Sequence, residues 1–199
     1  MLFRSSQRKY LRDKNFNSKP RVKILISGLN ISDMRFKCAF LDRDGVINQD
    51  KGYISKVSDF KIYPGVGKAI SLLNKRNYLV IIITNQSGIG RGLIKIKELE
   101  NLHNHLRKKI KKDRAKIDDI FYCPFHPEFG RGKYKKKSND RKPGDGMIRK
   151  AIKKWKIDTK KSFMIGDKIS DKIAAKKAKI KFFYKKEKNL NTQMKIILK

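Results

Sequence analysis

Residues 78–85 read Tyr-Leu-Val-Ile-Ile-Ile-Thr-Asn. The run is continuously apolar and rich in β-branched residues, with no polar residue at alternate positions. It therefore reads as a strand buried on both faces. Such a strand needs helices above and below its sheet, and the flanking sequence supplies them. "KCAFLD" (37–42) is a short apolar run ending in an acid, and "PGVGKAISLLNKRN" (64–77) opens with Pro64 and sets Val66, Ile70 and Leu73 at helical spacing. The stretch around 95–112 has a basic, helical composition, "DDIFYC" (118–123) reads as a strand, and 124–143 is a loop rich in Gly, Lys and Pro. "GMIRKAIKKWKI" (146–157) is an amphipathic helix, "SFMIGD" (162–167) a strand, "KISDKIAAKKA" (168–178) a helix and "KIKFFY" (179–184) a last strand. Strand and helix alternate, which specifies an α/β fold with a parallel sheet flanked by helices. No internal repeat interrupts the pattern.

The chain has 199 residues, 39% of them hydrophobic, enough for one domain with a sizeable core. Lys and Arg total 52 against 18 acids, a formal charge of +34. That excess suits nucleic acid, an anionic membrane or a phosphorylated substrate. It equally suits a general lysine bias over a solvated surface, and the scatter of lysine along the whole chain favours this second reading. Two cysteines, Cys38 and Cys123, make no disulfide framework and fit a reducing cytoplasm. No apolar run reaches the length of a membrane span, and the basic N-terminus lacks the apolar core of a secretory signal. Residues 1–33 are polar and basic except for "VKILI" at 22–26. They are either an anion-binding arm or an upstream extension before Met34. The expected division is thus an extension over 1–33, one domain over 34–188 and a C-terminal tail over 189–199.

In a parallel sheet the ligand crevice lies beyond the carboxyl ends of the strands. Asp42, Asp44, Thr84, Asn85 and Asp167 fall there. On an extended backbone Asp42 and Asp44 share one face. Their repulsion is relieved by a divalent cation, and Asp167 from a second strand end completes a hard oxygen site suited to Mg²⁺. The plainer alternative for "DRDG" is an acidic turn. "ITNQSGIGRG" (83–92) ends a strand in a glycine-rich turn whose N–H groups can hold phosphate, or is simply a strand-to-helix turn. "DRKPG" (140–144) sets Arg141 and Lys142 in a stiffened loop, where cations stabilise a transferring phosphoryl group, or adds one more basic pair. "GDKISD" (166–171) places Asp167 and Asp171 at a helix start, where acids also cap.

In their order, "DRDGVIN", "TNQSGIGRG", "CPFHP", "RKPGDGM" and "GDKISD" resemble the haloacid dehalogenase superfamily of aspartyl phosphatases. The resemblance spans roughly residues 36–185 and is closest to its heptose-bisphosphate and histidinol-phosphate phosphatase branch. It implies a Rossmann-like haloacid dehalogenase fold. Asp42 would be the nucleophile and Asp44 the general acid and base. Mg²⁺ would be held by Asp42, the backbone carbonyl of Asp44, and Asp167. Thr84 and Lys142 would hold the phosphoryl oxygens, with Asp171 positioning Lys142 or a metal-bound water. Asp50, Tyr53, Asn85, Gln86, Ser87 and Arg141 would meet the rest of the substrate. The gaps between motifs are too short for a large cap domain.

Zinc-bearing relatives carry four ligands where this chain has Cys123, Phe125, Ser138 and Asp140. No structural zinc is expected, since such a site needs four ligands. The cations of "GRGKYKKKS" (130–138) should then hold the loop open until an anionic substrate draws it in. The resemblance implies hydrolysis of a sugar phosphate monoester in the cytoplasm by a monomer. D-glycero-D-manno-heptose 1,7-bisphosphate, cut to its 1- or 7-phosphate for surface polysaccharide, is the leading substrate. Histidinol phosphate and polynucleotide 3′-phosphate are the alternatives within enzymes, and a basic nucleic-acid-binding protein without turnover is the alternative outside them. No membrane partner is expected, and the even spread of lysine disfavours nucleic acid.

The motifs all lie beyond residue 33, so a chain beginning at Met34 is expected to fold and to release phosphate as the full chain does. Loss of its circular dichroism signature would instead assign "VKILI" to the core.

Overall fold

The computed structural model describes residues 34–199. The arm expected over 1–33, with "VKILI", lies outside them. Five strands form one all-parallel sheet: β1 (Cys38–Leu41), β2 (Leu79–Asn85), β3 (Asp119–Cys123), β4 (Phe163–Gly166) and β5 (Lys181–Tyr184), in the order β3-β2-β1-β4-β5. Six helices connect or follow them: α1 (Val66–Lys75), the short α2 (Ser87–Gly90), α3 (Ile96–Lys111), α4 (Gly146–Trp155), α5 (Ile169–Lys177) and α6 (Leu190–Ile197).

The apolar run 79–83 behaves as its composition requires. Val80, Ile81, Ile82 and Ile83 are all fully buried, Val80 and Ile82 against one helical layer and Ile81 and Ile83 against the other. β1 alternates in the same way. Ala39 and Leu41 pack with α1, α3 and α6, whereas Cys38 and Phe40 pack with α4 and α5. Each fully buried aliphatic side chain contributes about 1.5–3 kcal/mol against the cost of ordering it. In α3 the buried residues Leu99, Leu102, His103, Leu106 and Ile110 recur at one helical face, which leaves the lysines of the basic stretch on the solvent side.

The expected absence of a large cap follows from the connections. The β1–β2 crossover holds α1 and a compact loop over 45–62, closed by bridges between Asp44 and Asn48 and between Asn48 and Ile62. The β3–β4 crossover holds the 124–143 loop and α4.

One expectation fails. Within the expected tail over 189–199, Leu190–Ile197 form α6, and Leu190 and Met194 are fully buried in the same core cluster as α1. Gln193 adds polar stitching: its Oε1 accepts the N–H of Lys186 at 3.0 Å and its Nε2 donates to the Tyr184 carbonyl at 2.6 Å. The helix is only two turns long, so its apolar spacing was too brief to stand out beside the lysines.

Leu190→Ala should therefore cost about 2–5 kcal/mol in urea unfolding. A loss below about 0.5 kcal/mol would make 189–199 the tail that its composition suggests.

Candidate active site

Three neighbouring strands, β2, β1 and β4, end side by side and deliver their following residues to one crevice. Asp42 follows β1 and its N–H donates to the Ile165 carbonyl at 3.0 Å, Thr84 and Asn85 close β2, and Asp167 follows β4. Lys142 arrives from the loop before α4. Asn85 holds it there by bonding in both directions: its Oδ1 accepts the Lys142 N–H at 3.0 Å and its Nδ2 donates to the Lys142 carbonyl at 3.1 Å. Asn85, expected to touch substrate, thus spends its amide on positioning Lys142.

Lys142 is 4% exposed. Its ammonium lies 2.7 Å from Asp42 Oδ1 and 2.6 Å from Asp171 Oδ1, and it donates to the Ile83 carbonyl at 3.0 Å. The Asp171 contact is an ion pair between two buried side chains. Burial lowers the pKa of Lys142, but Asp42 and Asp171 outweigh it and hold it above the ordinary lysine value. Asp171 also keeps the capping role read from sequence, since its Oδ2 accepts the Lys168 N–H at 3.1 Å.

Asp42, Asp167 and Asp171 each bring a carboxylate oxygen within 4.8 Å of the others. Two glycines make room for them. A Cβ on Gly45, whose φ is +86°, would stand 2.1 Å from the Asp167 carboxylate, and a Cβ on Gly166 would stand 2.3 Å from Asp171 Cβ. Burial pushes Asp42 up to about 7, with Asp171 and Asp44 adding to the rise against the pull of Lys142. Burial and Asp171 also raise Asp167, against the pull of Lys168. Crowded carboxylates that resist ionisation, with only one ammonium between them, fit a hard divalent cation.

Asp44 departs from the extended picture. The backbone turns at Arg43, and the Asp44 carboxylate is gripped by donors. Arg43 Nη2 donates to both of its oxygens at 3.0 Å, Asn48 Nδ2 to Oδ1 at 2.9 Å and Gln86 Nε2 to Oδ2 at 2.8 Å. The same Gln86 nitrogen donates to Thr84 Oγ1 at 2.9 Å. Arg43, 1% exposed, and Asn48 were missed by sequence reasoning. Arg43 was legible as the cation between two acids; Asn48 carried no signal.

The cleft holds about 390 Å³. Asp42, Thr84, Gln86, Ser87 and Lys142 line it from buried positions, and Asp44, Asp50, Tyr53, Asn85 and Arg141 from more exposed ones. Asp167, which is exposed, and the fully buried Asp171 are not part of that lining. Lys168 also lines the cleft and was missed, although it adjoins Asp167 in "GDK"; its Nζ pairs with Asp50 at 2.7 Å.

Of the four zinc-ligand positions only Cys123 keeps a ligand, and all four serve other contacts. Burial pushes the Cys123 thiol up to about 11, Phe125 faces Tyr134 with ring centroids 6.1 Å apart, Ser138 Oγ accepts the Asp140 N–H and Asp140 pairs with Lys150. The loop is not splayed by its cations. His126 N–H donates to the Tyr134 carbonyl at 3.2 Å, Arg131 N–H to the Gly90 carbonyl at 2.8 Å, and Lys136 Nζ sits 4.2 Å from the centre of the Phe125 ring. Stacking on aromatic rings separates the charges and offsets their repulsion.

The sequence matches the family described as polynucleotide kinase 3 phosphatase over residues 37–196. It is 42% identical to a D-glycero-beta-D-manno-heptose-1,7-bisphosphate 7-phosphatase of Haemophilus ducreyi, covering 73% of this chain and 80% of that protein. It is 39% identical to the protein of the same name from Rhodopseudomonas palustris, covering 85% and 94%. Among solved structures, a had-like phosphatase from Mesorhizobium loti matches with a TM-score of 0.70 and 31% identity, covering 73% of this chain and 70% of that one. The D,D-heptose 1.7-bisphosphate phosphatase of B. bronchiseptica, complexed with magnesium and phosphate, matches with a TM-score of 0.69 and 26% identity, covering 81% and 98%. Motif order, fold and these matches agree, and the chain belongs to the polynucleotide kinase 3 phosphatase family, within the haloacid dehalogenase superfamily of phosphatases.

Proposed function

We propose that this phosphatase removes the 7-phosphate of D-glycero-D-manno-heptose 1,7-bisphosphate, leaving heptose 1-phosphate for surface polysaccharide. The observation that carries this reading is the set of relatives of that name at 39–42% identity, which match over most of their own length. Relatives named for the beta and for the alpha anomer are both similar to the chain, so either anomer fits the reading. The polynucleotide 3′-phosphatase reading stands second, favoured by the family's description and the charge of +34.

In the first step a carboxylate oxygen of Asp42 forms a bond to phosphorus while the bond from phosphorus to the sugar oxygen breaks. Asp44 gives its proton to that leaving oxygen. Lys142 and the Thr84 hydroxyl hold the phosphoryl oxygens, and Gln86, bonded to both Thr84 and Asp44, keeps the two in register. In the second step water attacks the aspartyl-phosphate at phosphorus, Asp44 takes its proton, and cleavage of the bond to Asp42 frees phosphate. Asp42, Asp167 and the carbonyl of Asp44 would hold Mg²⁺, which would supply charge neutralisation for the phosphate. Asp171 acts through Lys142. Tyr53, Ser87 and Arg141 face the rest of the substrate, with Asp50 acting through Lys168. Zinc has no place in the proposal: Phe125 offers no donor, the Cys123 thiol is held protonated by burial and Asp140 is taken by Lys150. Among the described residues no helix is long and apolar enough to cross a membrane. Both cysteines are free and buried, which fits the cytoplasm as the proposed compartment.

A panel of heptose 1,7-bisphosphate anomers, histidinol phosphate and a 3′-phosphorylated oligonucleotide, assayed with Mg²⁺, tests the substrate. The heptose bisphosphate should give the highest kcat/KM, and Asp42→Asn should abolish its turnover with the fold intact. A faster oligonucleotide would transfer the assignment to nucleic-acid ends, and an active Asp42→Asn protein would remove the covalent step.

The raised carboxyls give a second test. The native state binds the Asp42 proton more tightly than the unfolded chain does, so metal-free protein should lose stability as pH rises from about 4 to about 7. Mg²⁺ binds the ionised form and should raise Tm more at about pH 8 than at about pH 5. An equal Mg²⁺ effect at both pH values would separate the metal from these carboxylates.

A further inference from the structure

Away from the reacting groups, a single side chain joins the two loops that frame the cleft. Arg91 follows α2, and its guanidinium lies between two aromatic rings, 5.1 Å from the centroid of Tyr53 and 5.0 Å from that of Phe129. Its Nη1 also donates to the Tyr53 hydroxyl. Tyr53 belongs to the 45–62 loop and lines the cleft, whereas Phe129 belongs to the 124–143 loop. The two residues are 45% and 56% exposed, so neither ring is fixed by the core.

Each anchor of this contact is itself held. The Arg91 N–H donates to the Ser87 carbonyl at 2.9 Å, which ties its backbone to α2. Phe129 stacks on His126 at 4.8 Å, and His126 Nδ1 accepts the N–H groups of Glu128 and Phe129 at 3.2 and 3.1 Å. Arg91 is not among the residues lining the cleft, so any effect on substrate passes through Tyr53. A guanidinium, broad and carrying several donors, can approach two rings and donate a hydrogen bond at once; a lysine ammonium, a compact point charge, cannot reproduce that combination.

We infer that Arg91 is a positioning residue that latches the 45–62 loop to the 124–143 loop and fixes the Tyr53 ring as the far wall of the substrate site. The inference rests on the proposed reading of this cleft as the site of an extended bisphosphate. A substrate that fills only the phosphoryl pocket never reaches Tyr53. One that carries a sugar and a second phosphate does, and contacts remote from the reacting centre discriminate between the two. The latch thus supplies, from loops, selectivity that a chain with no cap domain must obtain elsewhere.

Arg91→Met and Arg91→Lys in the full chain test the latch against two substrates, heptose 1,7-bisphosphate and p-nitrophenyl phosphate. Loss of two cation–π contacts and a hydrogen bond in Arg91→Met should raise KM for the bisphosphate about tenfold, with kcat kept within about twofold. Turnover of p-nitrophenyl phosphate should stay within about twofold of the unaltered protein. Arg91→Lys, which keeps one stack and a donor, should fall between. Hydrogen exchange should quicken in Arg91→Met over both 50–56 and 126–131. Equal losses on the two substrates, no loss on either, or exchange that quickens in only one loop would overturn the latch. Should the unaltered protein ignore heptose bisphosphate yet hydrolyse p-nitrophenyl phosphate, the substrate reading fails by itself, and paired or unpaired exchange still decides the latch.

Discussion

The site depends on one buried ammonium. Lys142 stands between Asp42 and Asp171, both nearly or wholly withdrawn from water, with a backbone carbonyl as its third partner. Removing the ammonium leaves two buried carboxylates uncompensated in a low-dielectric setting, where an unpaired ion costs several kcal/mol. The pair is therefore poor evidence of stability for its own sake. It makes sense as a preorganised arrangement, with the nucleophile oriented and a cation waiting where phosphoryl charge will gather.

The parallel sheet explains how so much charge reaches one place. Neighbouring parallel strands end on the same side, so β2, β1 and β4 deliver their last residues within contact of each other without long loops. The core on both faces of the sheet stiffens these ends. Finer placement comes from side chains that bond the reacting groups: Asn85 pins the backbone of Lys142, Gln86 spans Thr84 and Asp44, and Arg43 grips Asp44. Gly45 and Gly166 matter because a Cβ at either would occupy space that Asp167 or Asp171 needs. Selectivity is left to the rim, where Tyr53, Arg91 and the folded 124–143 loop stand in place of a cap.

Much of this was legible in the sequence. The unbroken run 79–83 has one structural solution, and the acids after strand ends can hardly face the core, so the sheet and Asp42, Thr84 and Asp167 followed from pattern alone. What stayed hidden depended on tertiary partners. Nothing local tells an Asn that touches substrate from one that bonds a loop backbone, as Asn85 does. The turn that swings Asp44 onto Arg43 arises from Asn48 and Gln86, the latter 42 positions away. The two-turn α6 needed α1 beneath it to become more than a tail. Charge counting failed for the 124–143 loop, because Lys136 rests on Phe125 and Arg131 is tied to Gly90 through its backbone.

The central claim is that Lys142 is required to offset Asp171 and Asp42, and a double-variant cycle measures it most directly. Unfolding of Lys142→Met, Asp171→Asn and the combined protein would be followed in chelator at about pH 8, where the unpaired carboxylates are most costly. Lys142→Met alone should lose about 3–5 kcal/mol. Adding Asp171→Asn, which keeps the oxygen that caps Lys168, should restore at least about 1 kcal/mol relative to the sum of the single effects. Additivity within about 0.5 kcal/mol would contradict the account, because it would mean that the ammonium and the buried carboxylate contribute independently.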